Sequence, residues 1–162
     1  RQRQMCIRDR YDTFIPIQII TIQRQEVMIH MRQEILEGIR RHVQSLEGLE
    51  HVQILEIAPG HAKIAWDVHP SALNLYGNLH GGLIFALCDM AAGMATYAYE
   101  VSNVTQQGCI HFIKSVNSGK LYVQADAVHK GSRTVIHHVG VTTPEGKVVA
   151  DATFTMFLFD PV

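Results

Sequence analysis

The sequence predicts an α+β domain in which a curved antiparallel sheet wraps around a central hydrophobic helix, with an additional amphipathic helix ahead of it. Three observations lead there. Residues 81–99 are apolar on nearly every side as a helix (Leu83, Ile84, Phe85, Leu87, Ala91, Met94, Ala95), so that helix must be covered on nearly every side. Two strand-like runs precede it and four follow it, each bounded by turn residues. The remaining helical segment is a single amphipathic one, which leaves a sheet as the only cover large enough.

Taken in order, the apolar residues from Met28 onward fall at Ile35, Leu36, Ile39, Val43 and Leu46, with Arg32, Glu37, Arg40 and Arg41 opposite. That spacing is helical, and Gly48 ends it. "HVQILEIAPGHAKIAWDV" reads as a hairpin about Pro59-Gly60, with alternation at Val52-Ile54 and Ile64-Trp66. The central helix follows. Four strands then come as "VTQQGCIHFIKSV", "GKLYVQADAVHK", "RTVIHHVGVTT" and "KVVADATFTMFLF", separated by Ser118-Gly119, Lys130-Gly131-Ser132 and Pro144-Glu145-Gly146. Residues 28–162 are thus expected to form one domain, the right size for a single core in a chain of 162 residues. Residues 1–27 are expected to be a tail. Their "MCIRDR" resembles adapter read-through and suggests a partly non-native segment, while the isoleucine alternation at Ile15, Ile17 and Ile19 leaves a flexible tail or an added edge strand open.

Composition excludes several classes. Net charge is −1 and no internal run of lysine or arginine stands out, so no phosphate-backbone footprint is present and nucleic acid is not an expected partner. The three cysteines, Cys6, Cys88 and Cys109, are odd in number and widely spaced, which argues against a disulfide framework and for a reducing compartment. Asp89 breaks the one run long enough to suggest a membrane span, and "FIPIQIITIQ" lacks a signal-peptide cleavage pattern. A cytoplasmic protein without membrane partners is expected. The ten histidines show no metal-ligand spacing, and His137 and His138 must face opposite sides of a strand, so no metal is expected.

Chemistry concentrates in "NLYGNLHGGLIFALCDMAAGMA", residues 74–95. Gly81 and Gly82 open the central helix, where free N–H groups and the positive end of the dipole could polarise a carbonyl. A tight turn or close packing explains the same glycines. Asp89 sits inside the apolar run, where a carboxylate is costly unless it is hydrogen-bonded or faces a cleft. It suits a general base or a nucleophile, or else a structural aspartate bonded to a hydroxyl such as Thr96. Cys88 reads as core. Met90, Met94, Tyr97 and Phe112 suggest an apolar pocket.

The element order, Asn74-x-x-Gly77-x-x-His80-Gly81-Gly82, Leu87-x-Asp89 and "GKLYVQADAVHKGSRT" together resemble the hotdog-fold acyl-CoA thioesterases of the phenylacetic-acid-degradation (PaaI-type) family, over roughly Ile35 to Phe159. Ser115 departs from the pattern, standing where family members commonly carry proline. The resemblance implies hydrolysis of acyl-CoA to a free acid and coenzyme A, with no cofactor beyond the coenzyme A of the substrate. By resemblance Asn74 holds the thioester, His80 fixes the loop or contacts the carbonyl, and Thr105 helps place the attacking water. Lys130, Ser132 and Arg133, with Gly82, would then contact the coenzyme A moiety. The alternative is a non-catalytic acyl-CoA-binding hotdog module, against which the presence of Asp89 argues. Asp89 lies eight residues beyond Gly81, about 12 Å along a helix rising about 1.5 Å per residue, too far for both to act on one carbonyl. A homodimer with composite sites is therefore expected, pairing again into a dimer of dimers.

Overall fold

The computed structural model describes residues 33–44, 48–49 and 51–161. The expected tail at 1–27, and the first residues of the helix expected from Met28, lie outside them. Helix α1 (Gln33–Gln44) comes first, then strands β1 (Gln53–Ala58) and β2 (His61–Asp67), and a 3-10 turn at Pro70–Ala72. Helix α2 (Gly81–Tyr97) follows, and strands β3 (Val101–Phe112), β4 (Lys120–Lys130), β5 (Thr134–Thr142) and β6 (Val148–Pro161) complete the described chain.

The six strands form one antiparallel sheet in the order β1-β2-β4-β5-β6-β3. Helix α2 packs against every one of them, as its apolar circumference requires. Pairing register carries the core across the sheet: Ala62, Ala125, Val139 and Ala152 stand opposite one another in sequence and are all buried. On the helix side, Ile84, Leu87, Cys88, Ala91, Ala92 and Ala95 are buried against them. Small side chains on both partners let the helix sit close to the strands.

Two turns fix where α2 begins and ends. The β1–β2 turn is tied to the helix by a bond from the Gly60 N–H to the Ala95 carbonyl (2.9 Å), while the Gly60 carbonyl accepts from Ala127 N–H (2.7 Å). Its φ of +80° and the Tyr99 hydroxyl packed over it leave no room for a side chain. After the helix, Glu100 takes φ 60° and turns the chain directly into β3, so this strand starts at Val101, three residues earlier than the sequence pattern suggests. It also stops at Phe112, before Val116. There Ile113 and Lys114 both donate to the Val149 carbonyl, which ends the regular ladder.

One buried polar pair joins helix to sheet. Thr96 donates its hydroxyl to the Ala92 carbonyl (3.0 Å) and lies 2.7 Å from His137 Nε2. Because the Thr96 proton is used, Nε2 is the donor of that pair, which leaves His137 Nδ1 buried without a partner. His138, its neighbour, faces the other side and bonds Asp151 (2.6 Å). Burial depresses the His137 pKa from 6.5 to about 4.

The sign follows directly. Between those two values the unfolded chain takes up a proton at this position and the folded chain does not, so stability is full above about pH 6.5 and falls as the pH drops toward about 4. Urea denaturation across that window should show this slope, and His137→Leu should flatten it. Identical slopes in the two proteins would remove His137 as the cause.

Candidate active site

A cavity of about 650 Å³ opens between α1, α2, β3 and β6, and Asp89 stands in its wall. The register of α2 explains how a carboxylate can occupy an apolar helix. Asp89, Gly93 and Tyr97 are each one turn apart and all line the cavity, while the flanking Leu87, Cys88, Ala91 and Ala92 face the sheet. The carboxylate is half-buried and hydrogen-bonded. Thr105 Oγ1 on β3 donates to Asp89 Oδ1 at 2.5 Å. The Thr96 hydroxyl, the alternative partner considered from sequence, is engaged with Ala92 and His137. Next to Asp89, burial pushes the Cys88 thiol up to about 12, with the charges of Asp89 and Asp151 adding to the effect, so the sulfur stays a protonated core group.

The other expected residues gather at the start of α2. Asn74 Oδ1 accepts from the N–H groups of Tyr76 (2.9 Å) and Asn78 (3.2 Å), and the Asn74 N–H donates to the Asn78 carbonyl (2.7 Å). These bonds make the 74–78 loop a compact turn. His80 is the N-cap of α2, its Nδ1 accepting from the Gly82 N–H at 3.0 Å. The Gly82 N–H is therefore occupied, and the Leu83 and Ile84 N–H groups bond the His80 carbonyl. That leaves Gly81, whose N–H finds no acceptor among the described residues. The Phe112 ring covers it, 3.1 Å from where a Cβ would stand. Phe112 thus belongs to the helix start and does not line the cavity as the sequence suggested. None of Asn74, His80 and Gly81 lines the cavity that holds Asp89 and Thr105.

Lys130, Ser132 and Arg133 lie exposed at the β4–β5 turn. The Lys130 ammonium sits 5.0 Å from the Tyr99 ring centre, a cation-π contact that holds it at the far end of α2. Among the described residues no three His, Cys, Asp or Glu side chains are placed to hold a metal ion, and no helix is long and apolar enough to cross a membrane.

Sequence reasoning missed part of the cavity. Gly38 and Ile39 of α1, Gly93 of α2, Asn103 of β3 and Met156 of β6 all line it. For Gly93 the signal was available, one turn beyond Asp89. For Asn103 it was two strand residues before Thr105. Nothing in the sequence connects α1 or β6 to the same space.

The chain matches known proteins over this region. The family model described as the thioesterase superfamily matches residues 76–150. A Mycobacterium tuberculosis relative, an esterase by name, is 32% identical over 105 residues, 61% of this chain and 75% of the relative. A Streptococcus pneumoniae hypothetical thioesterase solved with coenzyme A is 32% identical with a TM-score of 0.72, over 78% of this chain and 98% of that one. Its structure has also been solved as two mutants, one with an aspartate and one with a threonine sixteen positions later replaced by alanine. The Escherichia coli PaaI protein of the phenylacetic acid degradation operon aligns with a TM-score of 0.72, over 80% of this chain and 96% of its own, at 19% identity, and so matches in its hotdog fold.

The cap at His80 is open to test. Removing it by His80→Ala should cost about 1 kcal/mol of stability, and His80→Asn, which can accept the same N–H, should restore most of it. Equal losses in both variants would show that the ring serves by packing and not as a cap.

Proposed function

Because the chain belongs to the thioesterase superfamily and is a thioester hydrolase, we propose that it cleaves acyl-coenzyme A with Asp89 as general base. The observation that carries this reading is the Thr105–Asp89 hydrogen bond at the wall of an apolar cavity. The mutated aspartate and threonine of the pneumococcal thioesterase have the same spacing, sixteen residues, as Asp89 and Thr105, which supports it. Coenzyme A in that relative supports the same substrate class here.

In the proposed reaction Asp89 accepts a proton from water as its oxygen bonds to the thioester carbon. The Thr105 hydroxyl, its proton committed to Asp89, keeps lone pairs with which to accept from that water, and so to place it. Charge develops on the carbonyl oxygen, for which the Gly81 N–H at a helix start is a suitable donor. Collapse breaks the carbon–sulfur bond, and the departing thiolate takes the proton held by Asp89. The base and the donors all come from the chain. Asn74 and His80 hold the loop and the helix start in shape for this step. Lys130, Ser132 and Arg133 supply cations and a hydroxyl suited to the phosphates of coenzyme A.

Gly81 and Asp89 are too far apart on one helix to share a carbonyl, so the site is proposed to form between the helix start of one subunit and Asp89 of the other in a two-fold homodimer. Strand β3 supports such pairing. It is an edge strand of the sheet, twelve residues long, with Val104 and Phe112, and Ile113 just past its end, more than half exposed.

Thiol release from acyl-CoA should fall about a hundredfold or more in Asp89→Asn, which keeps shape and removes basicity, and by less in Thr105→Ala. A folded Asp89→Asn with wild-type turnover would overturn the assignment. A folded wild-type chain that binds acyl-CoA and releases no thiol would be the non-catalytic module instead. Lys130→Ala combined with Arg133→Ala should raise KM for coenzyme A esters and leave a short thioester lacking the nucleotide unaffected. Added salt should mimic that double variant.

A further inference from the structure

Helix α1 is amphipathic, and its partner surface includes the cavity at Asp89. Gly38 and Ile39 of α1 both line that cavity, facing Gly93 and Met94 of α2 and Met156 of β6. Both Gly38 and Gly93 sit in helix interiors, where glycine is destabilising relative to alanine. Every helix-interior glycine among the described residues lines this one cavity. Within the subunit, sterics do not demand either of them. A Cβ on Gly38 would meet nothing within 4 Å, and one on Gly93 would meet only Asn103 Oδ1 at 3.8 Å and Met156 Cε at 3.9 Å, ordinary contacts. Neither glycine has a positive φ. What their missing side chains leave is space.

The chemistry of that space is uneven along its length. At one end stand Asp89 and Thr105, joined by their hydrogen bond. Met156 stands beside Thr105, its Sδ 3.9 Å from Oγ1. Beyond them the walls are mainly Ile39, Met90 and Met94, with Tyr97 farther along α2 and the Asn103 amide N–H turned onto the Gly93 carbonyl (3.4 Å). From Asp89 to Tyr97 the helix rises about 12 Å, at about 1.5 Å per residue. An arm bearing amide groups would find only Asn103 and Tyr97 to bond among these methionines, whereas an apolar group is accommodated by their flexible, polarizable side chains. We infer that Gly38 and Gly93 are specificity-determining residues which keep open an acyl pocket running from Asp89 along α2 toward Tyr97, and that the pocket takes an apolar acyl group of medium length, larger than acetyl. The inference rests on the proposed hydrolysis at Asp89 for the position of the carbonyl. It goes further by naming the class of acyl group and the two absent side chains that admit it.

Octanoyl-CoA and acetyl-CoA turnover, followed by thiol release, together with calorimetric binding of coenzyme A and of the uncleavable thioether S-octyl-CoA, make the test in the full chain. In Gly38→Leu the ratio of kcat/KM for octanoyl-CoA to that for acetyl-CoA should fall about tenfold or more, since a hydrophobic pocket discriminates by this much for small changes in volume. Affinity for S-octyl-CoA should fall relative to coenzyme A in the same variant. Gly38→Ala and Gly93→Ala should shift the ratio the same way by less and raise the melting temperature, which keeps the test open if the leucine variant folds poorly. An unchanged ratio in folded variants would overturn the inference. So would a parallel loss of coenzyme A and S-octyl-CoA affinity, which would assign the cavity to the pantetheine arm. A wild-type chain that turns over no ester, with S-octyl-CoA affinity still lost selectively in Gly38→Leu, would overturn hydrolysis and support the pocket.

Discussion

A helix that is apolar around its whole circumference cannot face water, and this single constraint organises the molecule. Helix α2 is covered by contacts with all six strands, and the sheet order places β2, β4, β5 and β6 between two edges, β1 and β3. Any break in the apolar surface must then be met by something other than the sheet. Asp89 is that break, and it falls where α2 turns away from the strands toward the cavity shared with α1. The cost of holding a carboxylate there is offset by its bond with Thr105 and by access to the opening. Fold and site are consequences of the same helix.

The same helix separates the groups that the proposed chemistry must combine. Its start presents the Gly81 N–H, capped and shaped by His80 and by the Asn74 loop. Its middle presents the carboxylate. Neither the cap, the loop nor Gly81 shares the cavity with Asp89 of the same subunit; within that subunit the bonds of His80 and Asn74 shape the helix start. Under the proposed dimer, that donor and the carboxylate meet across an interface, and the exposed apolar residues of β3 become part of it.

Much of this was legible in the residues. Alternation identified the hairpin strands, turn residues bounded the four later ones, and the apolar run interrupted only by Asp89 identified α2. Asp89 drew notice for the cost of its position. Strand adjacency was not legible, since β3 follows α2 in sequence yet pairs only with β6 at the sheet edge. The start of β3 was set too late because Val101, Ser102 and Asn103 carry no clear alternation, and the turn at Glu100 is a backbone feature that its side chain does not signal. His80 as an N-cap was hidden because imidazole is not among the usual capping groups. The histidine pair at 137 and 138 was correctly divided between faces, but the bond of His137 to Thr96 joins residues 41 apart and depends on how the helix lies across the sheet. The glycines at 38 and 93 were unreadable as a pair for the same reason.

The central claim is that one thioester is activated by the helix start of one subunit and attacked with the help of Asp89 from the other. Refolding a Gly81→Val chain together with an Asp89→Ala chain, each inactive alone, tests this directly. Random pairing makes about half of the dimers mixed, each with one site carrying both defects and one carrying neither, so activity should return to roughly a quarter of wild type. Two folded, exchanging variants that together recover nothing would place Asp89 and its own Gly81 in one site and contradict the account.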